Sequence, residues 1–158
     1  MDAWPEPVER VAAALRAAAV DARLEEFPAG TPTAAAAAEA VGCELSQIVK
    51  SLVFVCDGRP VLALVPGDRR ADPGKVAAAA GAAGARVARP EEVVAATGFE
   101  PGAVAPFPAG KVERVLVEHR LLMHELVWVG AGTSRHMAGL APFDLVRVAK
   151  AEPAELIP

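Results

Sequence analysis

Chemistry has few places to reside in a chain of 158 residues with three histidines, two cysteines and no tyrosine. His119 and His124 are five apart, so they do not share a helical face as paired metal ligands at i and i+4 do. Cys43 and Cys56 form no CxxC and join no Cys/His cluster, so no metal site is expected. They read as two reduced, partly buried thiols. Ser46, Ser51 and Ser134 lie in no GxSxG elbow. Lys50 and Ser51 are neighbours, and a strand would turn them to opposite faces, which makes a poor Ser–Lys dyad. Neither GxGxxG nor GxxxxGK[ST] occurs, so no nucleotide cofactor is expected. What remains is one lysine inside an apolar run and two loops that carry glycine.

The lysine stands in Ser46-Gln-Ile-Val-Lys-Ser-Leu-Val-Phe-Val55. As a strand, this run puts Ile48, Lys50, Leu52 and Phe54 on one face and Val49, Ser51, Val53 and Val55 on the other. Both faces are largely apolar, which predicts a strand buried on both sides. A buried ammonium without a partner is costly. Either Lys50 snorkels to water from the start of the strand, or it lines a pocket and meets an anionic or carbonyl ligand. The loops are Gly102-Ala103-Val104-Ala105-Pro106 and Gly130-Ala-Gly132-Thr133-Ser134-Arg-His136. Glycine lets backbone N–H groups approach a ligand closely, and successive N–H groups can hold an anion or an oxyanion. Taken singly, each loop also reads as an ordinary turn.

The elements that must position these residues follow from periodicity. Val8, Val11, Ala12 and Leu15 recur at helical spacing and predict a helix over 6–20. Leu24–Phe27 reads as a short strand. Thr31-Pro32 has the form of an N-cap with proline at the first helical position, and Gly42 of a helix stop. Runs 48–55 and 60–65 flank Asp57-Gly58, a hairpin signal. Asp72–Ala80 closed by Gly81 and Pro90–Ala96 read as helices, and 97–110 as a loop. Strands are expected at 114–118 and 125–129. The stretch 140–148 reads as a short helix entering a last strand. The predicted class is α+β, a single domain over residues 1–158 with a curved, mostly antiparallel mixed sheet flanked by helices.

Sixteen basic against twenty acidic residues give a net charge of −4. That balance argues against non-specific binding of duplex nucleic acid, DNA included; a local basic patch drawn from Arg69, Arg70, Lys75, Arg86, Arg89, Lys111 and Arg114 stays open, with ordinary solvated surface charge the reading for most of them. No apolar run reaches the ~18 residues of a membrane span. The acidic, proline-broken start, Met1–Pro7, lacks the layout of a signal peptide. A cytoplasmic, soluble protein is the expectation.

Three segments occur together and in order: Thr33–Gly42 leading into Ile48–Phe54, then Ala96–Pro106, then Val129–Leu145. This set resembles the YbaK family, relatives of the editing domain inserted in bacterial prolyl-tRNA synthetases, over roughly residues 20–150. The resemblance implies a compact mixed fold around a curved sheet. It implies hydrolysis of the ester of mischarged aminoacyl-tRNA, often tRNA for proline carrying a smaller amino acid. It assigns the family's strand lysine to Lys50 and its GxxxP loop to Gly102–Pro106, with Ala103 where relatives often have a second glycine. The later glycine loop corresponds to Gly130–His136. There His136 is either a site residue or a solvent-facing loop histidine. The implied partners are the acceptor end of tRNA and prolyl-tRNA synthetase, with no cofactor.

That chemistry fits the residues. An aminoacyl ester is already activated, so a site that positions water and stabilises the oxyanion suffices without triad or metal. Lys50 would bind the terminal phosphate or the carbonyl oxygen, and the N–H groups near Gly102 and Ala103 would stabilise the oxyanion. Two other readings compete: a non-catalytic module that holds an aminoacyl or nucleotide-like ligand in the same pocket, and a structural domain in which Lys50 pairs with a protein carboxylate such as Glu44.

Overall fold

The structure is a computed structural model that describes residues 4–158; the first three residues of the acidic start lie outside this range. Helix α1 spans Glu6–Ala17 and buries Val8, Val11, Ala12 and Leu15, the four residues whose spacing predicts it. It ends earlier than expected because Ala19 turns into the left-handed region at φ 53°. Strand β1 is Arg23–Glu26 and helix α2 is Ala34–Val41. Its cap is Thr33, two residues after the predicted Thr31: the Thr33 hydroxyl accepts from Ala36 N–H at 3.0 Å. A 3-10 turn, Leu45–Gln47, leads into strand β2, Val49–Cys56, and β3, Arg59–Pro66. Asp57 and Gly58 both have positive φ, 51° and 82°, as a two-residue hairpin turn requires.

Helix α3, Pro73–Ala80, starts at Asp72, whose carboxylate accepts from Gly74 N–H at 2.9 Å. Strand β4 is Ala85–Val87 and helix α4 is Pro90–Thr97. Strand β5, Arg114–Glu118, passes into a 3-10 turn, His119–Met123. Strands β6, Val127–Gly130, and β7, His136–Leu140, follow. Helix α5 covers Pro142–Ala149 and strand β8 Ala151–Ala154. The sequence reading lacks β4 and β7, and it starts the last strand too early.

The sheet comes in two pieces. One has the order β4-β2-β3-β5-β8, antiparallel across β4-β2-β3 and parallel across β3-β5-β8; the other has the order β1-β7-β6 and is antiparallel. A parallel bridge between Ile48 and Trp128 joins them at the point where β2 begins. Both sheets give one face to a shared core. Val49, Val53, Leu62, Leu64, Val115 and Val117 from the larger sheet meet Val127, Val129, Ala138 and Leu140 from the smaller, with α1, α4 and α5 packed around them. The outer face of the larger sheet, through Phe54, Val61, Ala63, Val65 and Leu116, packs on Val76 of α3 and on Leu156 and Ile157. Trp128 and Met137 on the outer face of the smaller sheet pack on Ala37 and Ala38 of α2. So β2 is buried on both faces, as its two apolar faces demand.

Candidate functional site

The bridge between the sheets leaves a cleft of about 280 Å³ beside the first residues of β2. Its wall includes Ile48 just ahead of β2, Lys50, Ser51 and Leu52 from β2, and Gly102 and Val104 from the loop after α4. Gly130, Thr133, His136 and Met137 of the smaller sheet complete one side, and Thr31–Ala34 with Ala37 complete the other.

Lys50 is the second residue of β2 and half-buried. Its ammonium donates to the backbone carbonyl of Arg69. Among the described residues no carboxylate lies within 4.0 Å of it, and Glu44 instead caps the turn ahead of β2. The pairing with Glu44 that a structural role would need is therefore absent. Burial lowers the Lys50 pKa from its ordinary 10.5, the Arg70 guanidinium lowers it further, and Asp68 raises it. The cation is held by a neutral oxygen, and its charge is left largely uncompensated.

The two glycine-bearing loops touch. A Cβ on Gly130 would lie 2.8 Å from the Val104 carbonyl oxygen, so only glycine lets the strand end and the loop approach this closely. Gly102 has φ 82° and open space around it. Among the described residues the N–H groups of Gly102 and Val104 find no internal acceptor, whereas Ala103 N–H donates to Glu100 O at 2.9 Å. Ala103 is thereby removed as an oxyanion donor, and the N–H groups of Gly102 and Val104 are the ones left available.

His136 opens β7 and is only 4% exposed, so it is not a solvent-facing loop residue. Its Nδ1 lies 2.6 Å from the Thr133 hydroxyl, its Nε2 3.9 Å from Glu26 Oε2, and Trp4 meets its ring edge-on at 5.6 Å. Nδ1 and the Thr133 hydroxyl share a hydrogen bond, whereas 3.9 Å is too long for one between Nε2 and Glu26, so that carboxylate acts on the ring through its charge. The Thr133 oxygen in turn accepts from Arg135 N–H at 3.1 Å. Burial lowers the His136 pKa from its ordinary 6.5, Glu26 raises it and Arg135 lowers it.

Of the residues expected from sequence, Lys50, Gly102, Val104, Gly130, Thr133 and His136 meet on this cleft, and four do not. Ala103 and Pro106 are buried in the loop's own packing. Gly132, at φ 100°, lies where a Cβ would meet the Pro7 carbonyl at 2.7 Å, so it seats the loop against the start of α1. The Ser134 side chain faces outward, and its carbonyl accepts from Thr31 N–H at 2.8 Å. Sequence reasoning missed Thr31, Thr33, Ser51 and Met137. The available signals were a polar Thr-Pro-Thr step ahead of an alanine helix and one hydroxyl in an otherwise aliphatic strand. The Ser51 Oγ is buried and has no hydrogen-bond partner. Among the described residues no group of three or more His, Cys, Asp or Glu side chains is placed to hold a metal ion, and no helix is long and apolar enough to cross a membrane.

Comparison with known proteins places this geometry. A solved structure assigned as a candidate trans-editing enzyme for prolyl-tRNA synthetase superposes with a TM-score of 0.89 at 36% identity, covering 99% of each chain. The protein YwhH of Bacillus subtilis, of uncharacterised function, is 34% identical over 123 residues, 77% of this chain and 78% of that one. The proline–tRNA ligase of Maridesulfovibrio salexigens is 34% identical over 123 residues; the match covers 78% of this chain but only 21% of the ligase. This chain thus spans about a fifth of the length of that ligase. Residues 28–148, which hold every residue of the cleft, match the aminoacyl-tRNA editing domain, and the chain belongs to that family.

Proposed function

We propose that the protein is a trans-acting, metal-independent hydrolase that deacylates mischarged aminoacyl-tRNA, with tRNA for proline carrying a smaller amino acid as the substrate. The observation that carries this reading is the cleft itself: an ammonium held only by a neutral carbonyl shares its wall with two touching loops, one of which offers the unused N–H groups of Gly102 and Val104. In this reading Lys50 is a point charge for the terminal phosphate or the ester carbonyl oxygen. The Gly102 and Val104 N–H groups stabilise the oxyanion as it forms. The attacking water forms a bond from its oxygen to the carbonyl carbon, the bond to the ribose oxygen breaks, and the water's proton ends on that oxygen. The products are a free amino acid and a tRNA with both terminal hydroxyls restored.

Selectivity follows from the wall. Ala34, Ala37, Ile48 and Met137 bound the cleft with small or apolar groups. One methylene distinguishes substrates by only about 1–3 kcal/mol in a synthetic site, so a second pocket that admits the smaller acyl group restores accuracy. Thr133 and His136, joined by their hydrogen bond, hold the side that they share with Met137 in one orientation. Prolyl-tRNA synthetase is the proposed partner in this function; deacylation measured with and without it tests that point, and equal rates would count against it.

The central test is deacylation of Ala-, Cys-, Ser- and Pro-tRNA for proline by wild type and Lys50→Ala. The expected result is hydrolysis of one mischarged species, slowed about 10²–10³-fold in the variant, the size of losing one charge-stabilising donor. No turnover on any member, with tRNA still bound, would replace the hydrolase by a binding module that uses the same cleft.

A further inference from the structure

A second cleft, of about 410 Å³, opens beside the Pro66–Arg70 segment, and its wall includes Asp68, Arg69, His119, Arg120, Met123 and His124. The segment gives Pro66, Asp68 and Arg69 to this second cleft and no residue to the first, and one hydrogen bond connects the two. Lys50 belongs to the first, and the carbonyl that holds it belongs to Arg69 of the second.

The cations are distributed unevenly. Most arginines of the surface are neutralised: Arg10 by Glu6, Arg16 by Glu9, Arg59 by Glu113, Arg86 by Glu92, Arg89 by Glu91, Arg114 by Glu152 and Arg147 by Asp144. Of the basic residues that the sequence offers as a patch, Lys75 is also paired, with Glu155. Among the described residues Lys50, Arg69, Arg70 and Arg120 have no carboxylate within 4.0 Å, and neither do Arg23, Lys111, Arg135 and Lys150 elsewhere on the surface; of these, Arg69 and Arg120 are the pair that stands in one cleft. Two acids offset part of this charge: Asp68 in the wall, and Glu118 behind it, whose Oε2 lies 3.5 Å from His119 Nδ1. The backbone that presents the group is fixed. Glu118 is fully buried and accepts from Arg120 N–H and Leu156 N–H, both at 2.9 Å, which locks the turn carrying His119, Arg120 and Met123. Met123 is 82% exposed, an apolar side chain left in water beside two imidazoles.

We propose that this second cleft binds the sugar–phosphate backbone of the RNA strand whose acylated end occupies the first cleft. The proposal rests on the editing function above. Arg69 and Arg120 meet phosphates, and Met123 with the two imidazoles offers a surface for an unpaired base. In a protein of net charge −4, a local cationic cleft recruits one stretch of RNA without general affinity for nucleic acid.

The test uses the full chain, an uncharged acceptor-stem RNA hairpin with a single-stranded end, and fluorescence anisotropy at several salt concentrations. Arg69→Ala/Arg120→Ala is expected to bind about tenfold more weakly than wild type, with the slope of log affinity against log salt shallower by about 1.4–1.8 for two lost phosphate contacts. Arg69→Lys/Arg120→Lys should retain the slope, and Arg59→Ala, at a neutralised position, should match wild type. Unchanged affinity and slope in the alanine variant would overturn the proposal, as would no hairpin binding by wild type. Deacylation separates the two readings. The alanine variant should lose more on intact charged tRNA than on a short aminoacyl-adenosine ester. Hairpin binding that depends on the two arginines, without turnover of any ester, would sink the hydrolase and leave the cleft standing. Turnover with hairpin binding indifferent to them would do the reverse.

Discussion

Gly130→Ala tests whether the contact between the two glycine-bearing loops builds the site. The added Cβ would stand 2.8 Å from the Val104 carbonyl oxygen, a backbone atom that cannot rotate aside. Ordinary contact begins at 3.4 Å, so β6 and the 102–106 loop must separate by about 0.6 Å. Val104 is buried and joins the shared core, so the strain spreads into packed residues. Overpacking of this kind costs about 1–3 kcal/mol. In the proposed function the same displacement moves the Gly102 and Val104 N–H groups away from the ester. A misplacement of about 1 Å can cost on the order of 10²-fold in rate, so 0.6 Å predicts about tenfold. Guanidinium denaturation measures the first effect, and kcat/KM on a mischarged tRNA the second. Gly102→Ala is the comparison: φ 82° makes it cost about 1–2 kcal/mol, but nothing lies within 4 Å of its Cβ. A Gly130→Ala protein as stable and as active as wild type would refute the idea that close approach of these loops shapes the site.

Other residues give sharper separations of stability from function. Ser51→Ala removes a buried hydroxyl without a partner, so stability should hold or rise by up to about 1 kcal/mol while KM for the ester changes; a loss above that range in thermal denaturation would mean that the hydroxyl is already satisfied. Glu118→Gln replaces a carboxylate that accepts from two backbone N–H groups by a group with one acceptor, and should cost about 1–3 kcal/mol, with faster hydrogen exchange at Arg120 or Leu156 as its local sign. His136 has a folded pKa below its ordinary 6.5, so the unfolded chain binds its proton more readily. Its contribution to stability is therefore full above about pH 6.5 and is lost as pH falls through the lower folded value. Urea midpoints between pH 7.5 and 5 should decline less in His136→Asn than in wild type, and parallel declines would refute the assignment.

Much of the fold is written in local signals. Asp57-Gly58 specifies its hairpin because two consecutive positive φ angles are needed there, and glycines 42, 81 and 98 end three helices in the left-handed conformation. What is not legible depends on partners distant in sequence. Strand β4 has three residues, and its last, Val87, is 67% exposed, so no alternation marks it; pairing with β2 makes it a strand. Strand β7, His136-Met-Ala-Gly-Leu140, looks like a loop because Gly139 interrupts it. That glycine is opposite Trp128, whose ring would lie 2.9 Å from a Cβ, so the sequence feature that hides the strand is what lets it pack.

The same division holds at the site. Glycine in a loop reports that backbone must come close to something, and the sequence cannot say to what. Gly130 approaches the other site loop, while Gly132, two residues on, approaches α1 and has no part in the cleft. Lys50 is different, because its anomaly is energetic and its own strand exposes it. A cation between two apolar faces needs either water or a partner, and here the protein supplies only a carbonyl oxygen. Desolvation and Arg70 both push the ammonium toward neutrality, and Asp68 opposes them weakly enough that the net shift is downward. A phosphate or a developing oxyanion would reverse that shift on arrival. In the proposed function Lys50 would stabilise the complex more than the free protein, which is the condition for a residue that serves a substrate rather than the fold.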